Sequence, residues 1–287
     1  RFDEEANINW AEKLESLGVQ VVYGVVGLKT HAKMLLITRR DKRTGQLQRY
    51  GHLSTGNYNA RSARLYTDLS HLTCDAAITE DMDAVFRHLS SHNRLPTLQQ
   101  LVMAPFHLHS HMLERIGQAA SAAAKGKDAR IVLKMNALTD EVLIAALIDA
   151  GALGVQIDLI VRGACMLPAQ VPGRTENIRV RSVIGRFLEH TRVFYFAWGT
   201  HEEVYLSSAD WMHRNMLRRV ELAWPVHQRK LRQRIIDECL ADYLHDDRNA
   251  WQLQSDGRYQ PPMRPSAGFG AQNMLMKNYG GAASARQ

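Results

Sequence analysis

The chain has 287 residues, of which 45% are hydrophobic and 23% charged, a composition typical of a globular protein with about two domains. Strand-sized apolar runs argue against a membrane-spanning helix, which needs about 20 apolar residues, and three scattered cysteines without a CxxC pair argue against disulfides or structural zinc. The formal net charge of +7 favours a polyanionic ligand: nucleic acid, a phosphorylated molecule or an anionic membrane surface.

Apolar periodicity predicts the elements of the first hundred residues. We expect a helix over 3–17 ending at Gly18, a buried strand over 19–26, strands over 32–40 and 47–55, and a helix over 79–92. The two middle strands are expected to form a hairpin, because their connector "DKRTGQ" is polar and contains a glycine. The stretch "SSHNRLPTL" then interrupts the pattern, which places a domain boundary near residue 100.

The same reasoning predicts a second set of alternating helices and strands. They are a helix over about 107–126, a strand over 129–135, a helix over Thr139–Ala150, strands over 154–162, 178–184, 192–199 and 203–210, and a basic helix over 225–244. The last thirty or so residues, rich in Gly, Pro, Ser and Ala, are expected to form a loose tail. The alternation predicts two α/β domains, residues 1–100 and 101–287, each a mixed sheet flanked by helices.

The two parts share an internal repeat. In the first part a strand opens with "THAK", which contains His31 and Lys33, and the return strand of its hairpin ends in "STGN" at 54–57. In the second part the corresponding segments are "EHTR" at 189–192 and "SSAD" at 207–210. Each part therefore has a histidine, a cation two residues later, a hairpin, and then hydroxyl residues followed by Asn or Asp.

The repeat has a chemical rationale in phosphate handling. Residues i and i+2 of a strand face the same side, so His31 and Lys33 point together, as do His190 and Arg192. A neutral imidazole is a nucleophile toward phosphorus, and a nearby cation neutralises phosphate oxygens. The return strands would bring hydroxyl and amide donors beside them. Two such parts facing each other are expected to form one site with two histidines.

This arrangement resembles the phospholipase-D-like superfamily, and longer motifs narrow the resemblance to polyphosphate kinases. The motifs lie in family order over nearly residues 1–225: "RFDEEANINWA", "GLKTHAKM", "HLSTGNYN", "ARLYTDL", "LIVRGACML", "FLEHTRVFYF" and "VYLSSADWMHRN". The resemblance implies two phospholipase-D-like α/β domains, without the family's N-terminal and head domains. It therefore also implies that some nucleotide contacts are made by parts outside this chain.

The resemblance also assigns residues. His31 matches the family's phosphorylated histidine and His190 its second essential histidine, while Tyr66 and Arg162 match ATP-contacting positions. Arg1 matches an arginine that the family associates with magnesium and phosphate. Because a guanidinium binds phosphate oxygens rather than cations, we interpret Arg1 as a neighbour of Mg²⁺-bound phosphate.

Three further assignments come from position in the sequence. Lys33 is expected to bind phosphate because it shares a strand face with the first histidine. Arg219 follows the second motif closely enough to face the site. In contrast, "RRDKR" at 39–43 is expected to be a solvated hairpin tip.

The resemblance implies a Mg²⁺-dependent enzyme that moves the γ-phosphate of ATP reversibly to polyphosphate through a phosphohistidine. It implies ATP, ADP and inorganic polyphosphate as ligands, a homo-oligomer, no nucleic-acid partner, and a cytoplasmic location with peripheral association with the inner membrane left open. Activity of this chain on its own is also left open. Two alternatives remain: a phospholipase-D-like phosphodiesterase, or a non-catalytic polyanion-binding protein.

Overall fold

The computed structural model describes residues 4–91 and 96–283, and its first part is a small α/β unit. Its elements in chain order are α1 (Glu4–Ser16), β1 (Lys29–Thr30), β2 (Lys33–Arg40), β3 (Leu47–Ser54), α2 (Ala60–Leu65), β4 (Tyr66–Thr67), β5 (Ser70–Thr73) and α3 (Ala76–Ser91). The predicted hairpin is confirmed as β2 and β3. At its tip Asp41 accepts hydrogen bonds from the backbone N–H groups of Arg43 and Thr44, which closes the turn.

The second part contains most of the regular structure. Its elements are β6 (Val102–Ala104), α4 (Leu108–Ala124), β7 (Ala129–Met135), α5 (Glu141–Ala152), β8 (Gln156–Val161), β9 (Ile178–Val183), β10 (Leu188–Glu189), β11 (Arg192–Trp198), β12 (His201–Ser207), α6 (His213–Leu217), β13 (Arg219–Pro225), α7 (Arg229–Ile235), a π-helical segment (Ile236–Ala241), α8 (Asp242–His245), β14 (Ala250–Leu253), β15 (Tyr259–Gln260) and α9 (Ala271–Ala283). Helix α5 begins two residues later than predicted, because Asp140 caps it by accepting a hydrogen bond from the Leu143 N–H.

Ten strands of the described ranges form one large mixed sheet. Its order is β1-β13-β12-β11-β7-β8-β9-β14-β15, with β6 paired to β13. Strands β7, β8 and β9 run parallel to one another, and β11 and β12 are antiparallel to their neighbours. Strand β13 is antiparallel to β12 and β6 but parallel to β1. Strands β2, β3 and β5 form a separate antiparallel sheet, which packs against α3. The predicted mixed α/β architecture, with helices flanking a large mixed sheet, is confirmed.

Apolar side chains cover both faces of the large sheet. Leu133 and Phe194 belong to one buried cluster, which includes residues of α4 and α5. Val132 and Val193, one position away on the same strands, belong to the other cluster, which includes residues of α3 and the α7–α8 region. This alternation is the two-residue period of a strand whose two faces are both buried. The boundary near residue 100 stays a prediction.

The predicted buried strand over 19–26 is wrong. These residues form no regular strand, and Val22, Tyr23 and Val26 are exposed. Gly24 and Gly27 adopt positive φ angles of 90° and 80°, so the backbone turns where a strand would have to continue. An apolar run becomes a buried strand only when a neighbouring strand pairs with it, and within the described ranges this segment makes a single bridge, from Val25 to Leu28.

The predicted loose tail is wrong for its described residues, which end at residue 283. Strand β15 pairs with β14, which extends the large sheet beside β9, and α9 follows. The Asp246 carboxylate accepts hydrogen bonds from the N–H groups of Arg248, Asn249 and Ala271, which fixes the entry to α9. These hydrogen bonds order the segment despite its Gly-, Pro- and Ser-rich composition.

Within the described ranges, no helix combines the length and the apolarity that crossing a membrane would require.

Candidate active site

The short strand β1 places His31 beside a carboxylate of the other part of the chain. It runs parallel to β13, with Thr30 opposite Val220. The N–H groups of His31 and Ala32 both donate to the Val220 carbonyl, at 2.9 and 3.0 Å. The next residue of β13 is Glu221, and its Oε2 lies 2.9 Å from His31 Nδ1. The backbone pairing therefore sets the distance between imidazole and carboxylate.

The second histidine is held in the same way with the roles of the two parts exchanged. Strand β10 runs parallel to β4, with Glu189 opposite Thr67. The following residues are His190 and Asp68, and His190 Nδ1 lies 2.8 Å from Asp68 Oδ1. Each histidine is thus paired with a carboxylate that comes from the opposite part of the chain. Neither pair can form unless both parts are docked together.

Hydroxyl groups from the hairpins hold these carboxylates. Thr55 Oγ1 donates to Asp68 Oδ1 at 2.8 Å, and Ser208 Oγ donates to Glu221 Oε2 at 2.5 Å. Each hydroxyl oxygen also accepts the backbone N–H of the leucine that follows the carboxylate. The hydroxyl residues of the two repeats therefore share one hydrogen-bonding pattern. Sequence reasoning had expected them beside the histidines; in the structure they orient the histidines' partners.

The hydrogen bonds define which nitrogen of each histidine carries the proton. Arg192 Nη1 can only donate, and it lies 3.1 Å from His190 Nε2, so that nitrogen accepts and Nδ1 donates to Asp68. Burial lowers the pKa of His190 below its usual value, against the opposing effect of Asp68. In His31, Nδ1 donates to the Glu221 carboxylate, so the neutral ring keeps its lone pair on Nε2.

The two cations of the repeat differ in their pairing. The Lys33 side chain is buried, and its ammonium has no hydrogen-bond partner among the residues that the structure describes. Burial lowers the Lys33 pKa to about 8, with Glu221 opposing the shift and Arg192 adding to it. Arg192 is instead bound by the Asp210 carboxylate through two hydrogen bonds, at 3.2 and 3.0 Å. Lys33 is therefore a buried cation whose ammonium group remains available to bind an anion.

Two other predicted site residues, Tyr66 and Arg162, lie beside His190. The ring of Tyr66 lies against that of His190, with centroids 5.1 Å apart. Arg162 Nε donates to the Glu189 carbonyl at 3.0 Å, directly before that histidine in the chain. Arg219 lies on β13 opposite Lys29, two residues before Glu221. Arg1 lies outside the described residues.

Sequence reasoning missed both carboxylates that hold the histidines. Asp68 comes eleven residues after Asn57, the last residue of the first motif, and Glu221 comes eleven residues after Asp210, the last of the second. Both are followed by leucine. The repeat therefore extends beyond its hairpins, and the equal spacing was the signal that could have revealed these residues.

Comparisons with known proteins identify the family of the chain. Residues 1–95 match the family model for polyphosphate kinase C-terminal domain 1, and residues 101–272 match that for C-terminal domain 2. The chain is 55% identical over 262 residues to a polyphosphate kinase of Burkholderia cenocepacia, and 52% identical over 281 residues to one of Paraburkholderia phytofirmans. These alignments cover 91% and 97% of this chain, but 38% and 41% of the relatives.

A solved structure shows the same fold. The crystal structure of a polyphosphate kinase from Porphyromonas gingivalis matches with a TM-score of 0.88 and 34% sequence identity. The match covers 97% of this chain and 43% of that protein. By these family models, relatives and fold, the chain belongs to the polyphosphate kinase family and spans about two fifths of the length of its curated relatives.

Proposed function

We propose that this chain forms the phosphoryl-transfer centre of a polyphosphate kinase, which moves the γ-phosphate of ATP reversibly to polyphosphate through a phosphohistidine on His31. The observation that carries the proposal is the Lys33 ammonium, buried near Glu221 and Asp68, the carboxylates that hold the two histidines. A buried cation without a hydrogen-bond partner among the described residues is costly unless an anion arrives to neutralise it. A phosphoryl group positioned for attack by His31 is such an anion.

In the first step the lone pair on His31 Nε2 attacks the γ-phosphorus. The bond from that phosphorus to the bridging oxygen breaks, and ADP leaves with the electron pair. Glu221 keeps the proton on Nδ1 and stabilises the positive charge that develops on the ring as the N–P bond forms. Lys33 and nearby arginines neutralise the equatorial oxygens, which is the main requirement of phosphoryl transfer.

In the second step a terminal oxygen of polyphosphate attacks the phosphorus, the N–P bond breaks, and His31 is regenerated. His190 has two alternative roles: it donates a proton to the ADP oxygen that departs in the first step, or it stabilises the phosphohistidine through a hydrogen bond. In either role its Nε2 must carry a proton and can then no longer accept from Arg192. Tyr66 and Arg162 are proposed to contact ATP, and Arg219 to contact phosphate. Their support is their position around the two histidines.

Magnesium is proposed to reach the site on the triphosphate of ATP. Within the described ranges, no cluster of three His, Cys, Asp or Glu side chains could hold a metal ion. The carboxylates nearest the reacting groups already bind His31, His190 and Arg192. Mg²⁺ commonly takes much of its coordination from substrate phosphates and water, so the donors present fit metal-bound nucleotide better than a resident ion.

The phosphoenzyme tests the proposal directly. The assay is best made in a full-length polyphosphate kinase that carries this chain as its C-terminal part, below called the full-length enzyme. After incubation with γ-labelled ATP, we expect acid-labile, base-stable label on the peptide that contains His31, and none after His31→Ala. Tyr50→Phe, which alters an exposed residue of β3, is the matched control and should label normally. Normal labelling of His31→Ala would refute the assignment of the nucleophile.

The same assay separates the remaining alternatives. A phospholipase-D-like phosphodiesterase would cleave a diester and would take no phosphoryl group from ATP. A non-catalytic polyanion-binding protein would retain polyphosphate without any label. In the second half of the repeat, Arg192 occupies the position that Lys33 has in the first half, and Asp210 binds it. A phosphodiesterase with two equivalent histidine–lysine motifs would have lysine at position 192. The oligomer, the absence of a nucleic-acid partner and the cytoplasmic or peripheral membrane location stay predictions.

A further inference from the structure

A buried polar cluster lies directly behind His190 and is not used by the proposed chemistry. Its centre is the Glu189 carboxylate, which is 4% exposed. That carboxylate accepts four hydrogen bonds, from Lys134 Nζ at 2.8 Å, Thr67 Oγ1 at 2.9 Å, Tyr243 Oη at 2.8 Å and Gln272 Nε2 at 2.5 Å. Although burial raises the pKa of a carboxyl group, the neighbouring Lys134 and these hydrogen bonds hold the Glu189 pKa below its usual value.

Thr67 connects this cluster to the second histidine. Its hydroxyl has one proton, which is donated to Glu189, so its lone pairs are left to accept. The backbone N–H of His190 donates to the same hydroxyl oxygen at 3.2 Å, and Thr191 Oγ1 donates to the Thr67 carbonyl at 3.0 Å. Thr67 is followed by Asp68, which binds the imidazole. The Thr67 hydroxyl group therefore connects the buried Glu189 carboxylate to the backbone that aligns His190 with Asp68.

The other half of the repeat has no such cluster at the corresponding position. There Thr30 stands in place of Glu189, and Val220 stands in place of Thr67. A valine is thus sufficient to hold a parallel strand pair of this kind. A buried ion pair such as Lys134–Glu189 is weak evidence for stability, because desolvation offsets its attraction, and its best-attested use is to fix register.

We propose that Glu189, acting through Thr67 and held by Lys134, is a positioning residue that sets the His190–Asp68 hydrogen bond for the transfer reaction. The inference rests on the proposed function for its kinetic consequence but not for its structural one. Because the chain of contacts ends at the His190 backbone and at Asp68, its loss should change the imidazole's alignment rather than the binding of ATP. Misalignment of a catalytic group costs turnover, typically by about 10- to 100-fold.

Position 67 offers the sharpest test. Thr67→Val keeps the shape and reproduces the valine of the other half but removes the hydroxyl, whereas Thr67→Ser keeps the hydroxyl. In the full-length enzyme, we expect Thr67→Val to lower kcat about 10- to 100-fold, with the KM for ATP changed less than about two-fold, and Thr67→Ser to retain most of the activity. Glu189→Gln should resemble Thr67→Val in kcat. A kcat of Thr67→Val equal to that of the unaltered enzyme would overturn the inference.

A second readout does not need any activity. In the 287-residue chain with ¹⁵N-labelled histidine, the Nδ1–H proton of His190 should give a downfield resonance, which His190→Asn identifies. We expect Thr67→Val to shift or broaden that resonance and Thr67→Ser to preserve it. An unchanged resonance in Thr67→Val would overturn the inference whatever the enzyme does. Missing phosphoenzyme in the unaltered protein would instead count against the proposed function alone.

Asp158→Asn controls for the loss of a buried carboxylate as such. Asp158 is buried on β8 and is paired with Arg130 and Arg179, without contact with either histidine pair. We expect it to lower the melting temperature while leaving kcat and the His190 resonance unchanged. If Asp158→Asn shifted that resonance as much as Glu189→Gln does, the effect would be a general loosening, and the positioning role would be rejected.

Discussion

Replacing Lys33 with methionine should make the fold more stable and the enzyme much less active. In the folded chain the Lys33 pKa is lowered from 10.5 to about 8, mainly by burial. Since each pKa unit corresponds to about 1.4 kcal/mol, the buried charge of Lys33 lowers the free energy of unfolding by about 3 kcal/mol at pH 7. Methionine has a similar length and no charge, so Lys33→Met should recover much of that amount.

The pH dependence gives the prediction its sign. Because the pKa is lower in the folded than in the unfolded chain, the unfolded state binds more protons between pH 8 and 10.5, and the stability of the unaltered chain rises with pH in that window. Below pH 8 the destabilisation is complete. The advantage of Lys33→Met should therefore be largest near pH 7 and should shrink as the pH approaches 10.

Denaturant unfolding at pH 7 and pH 10 measures this effect. Lys42→Met is the matched control, because Lys42 is exposed at the hairpin tip and its replacement should change stability little at either pH. Turnover of Lys33→Met in the full-length enzyme should fall by about 10²- to 10³-fold, as for other removed transition-state donors. A variant that is less stable than the unaltered chain at pH 7, or equally active, would refute the reasoning.

Two further predictions concern the surroundings of the histidines. Arg162→Ala should cut turnover far more than Arg43→Ala, because Arg162 lies beside the second histidine and Arg43 is exposed at the hairpin tip. Turnover of both variants is measured at low and high salt, and equal losses would indicate that polyphosphate binds at that tip. Gly56→Ala should lower turnover about 10-fold or more, because the added Cβ would overlap the Asp68 carboxylate. Gly117→Ala is the control, because a Cβ there meets no neighbouring atom. Steady-state kinetics measures both variants, and full activity of Gly56→Ala would show that Asp68 can move without loss of function.

Local patterns predicted those parts of the fold that pack through their own periodicity. The hairpin of β2 and β3, the helix α4 and the parallel strands β7 and β8 carry continuous apolar or alternating runs, and they lie where the sequence placed them. The segment 19–26 has a similar run but turns at Gly24 and again directly after its end, at Gly27, so composition alone was misleading. Strand β13 was missed, although it pairs with β1, β6 and β12 and thereby joins the second part of the chain to the first.

The candidate site was predicted only as far as its motif. His31, Lys33, His190 and Arg192 were found because the repeat places each cation two residues after its histidine. The equal eleven-residue spacing could have revealed the two carboxylates, but their pairing joins residues 190 and 122 positions apart, which no local pattern encodes. The contacts of Glu189 likewise join residues between 54 and 122 positions apart. Gln272 illustrates the limit: it belongs to a stretch predicted to be loose, yet it is buried against Glu189.

The central claim is that phosphate passes through His31 on its way from ATP to polyphosphate, and a chase experiment tests it most directly. The full-length enzyme is labelled with γ-labelled ATP, freed of nucleotide and mixed rapidly with unlabelled polyphosphate. We expect the label to leave His31 and appear in polyphosphate at a rate at least equal to kcat. Label that stays on the protein for longer than one turnover, or that is released only to water, would contradict the account.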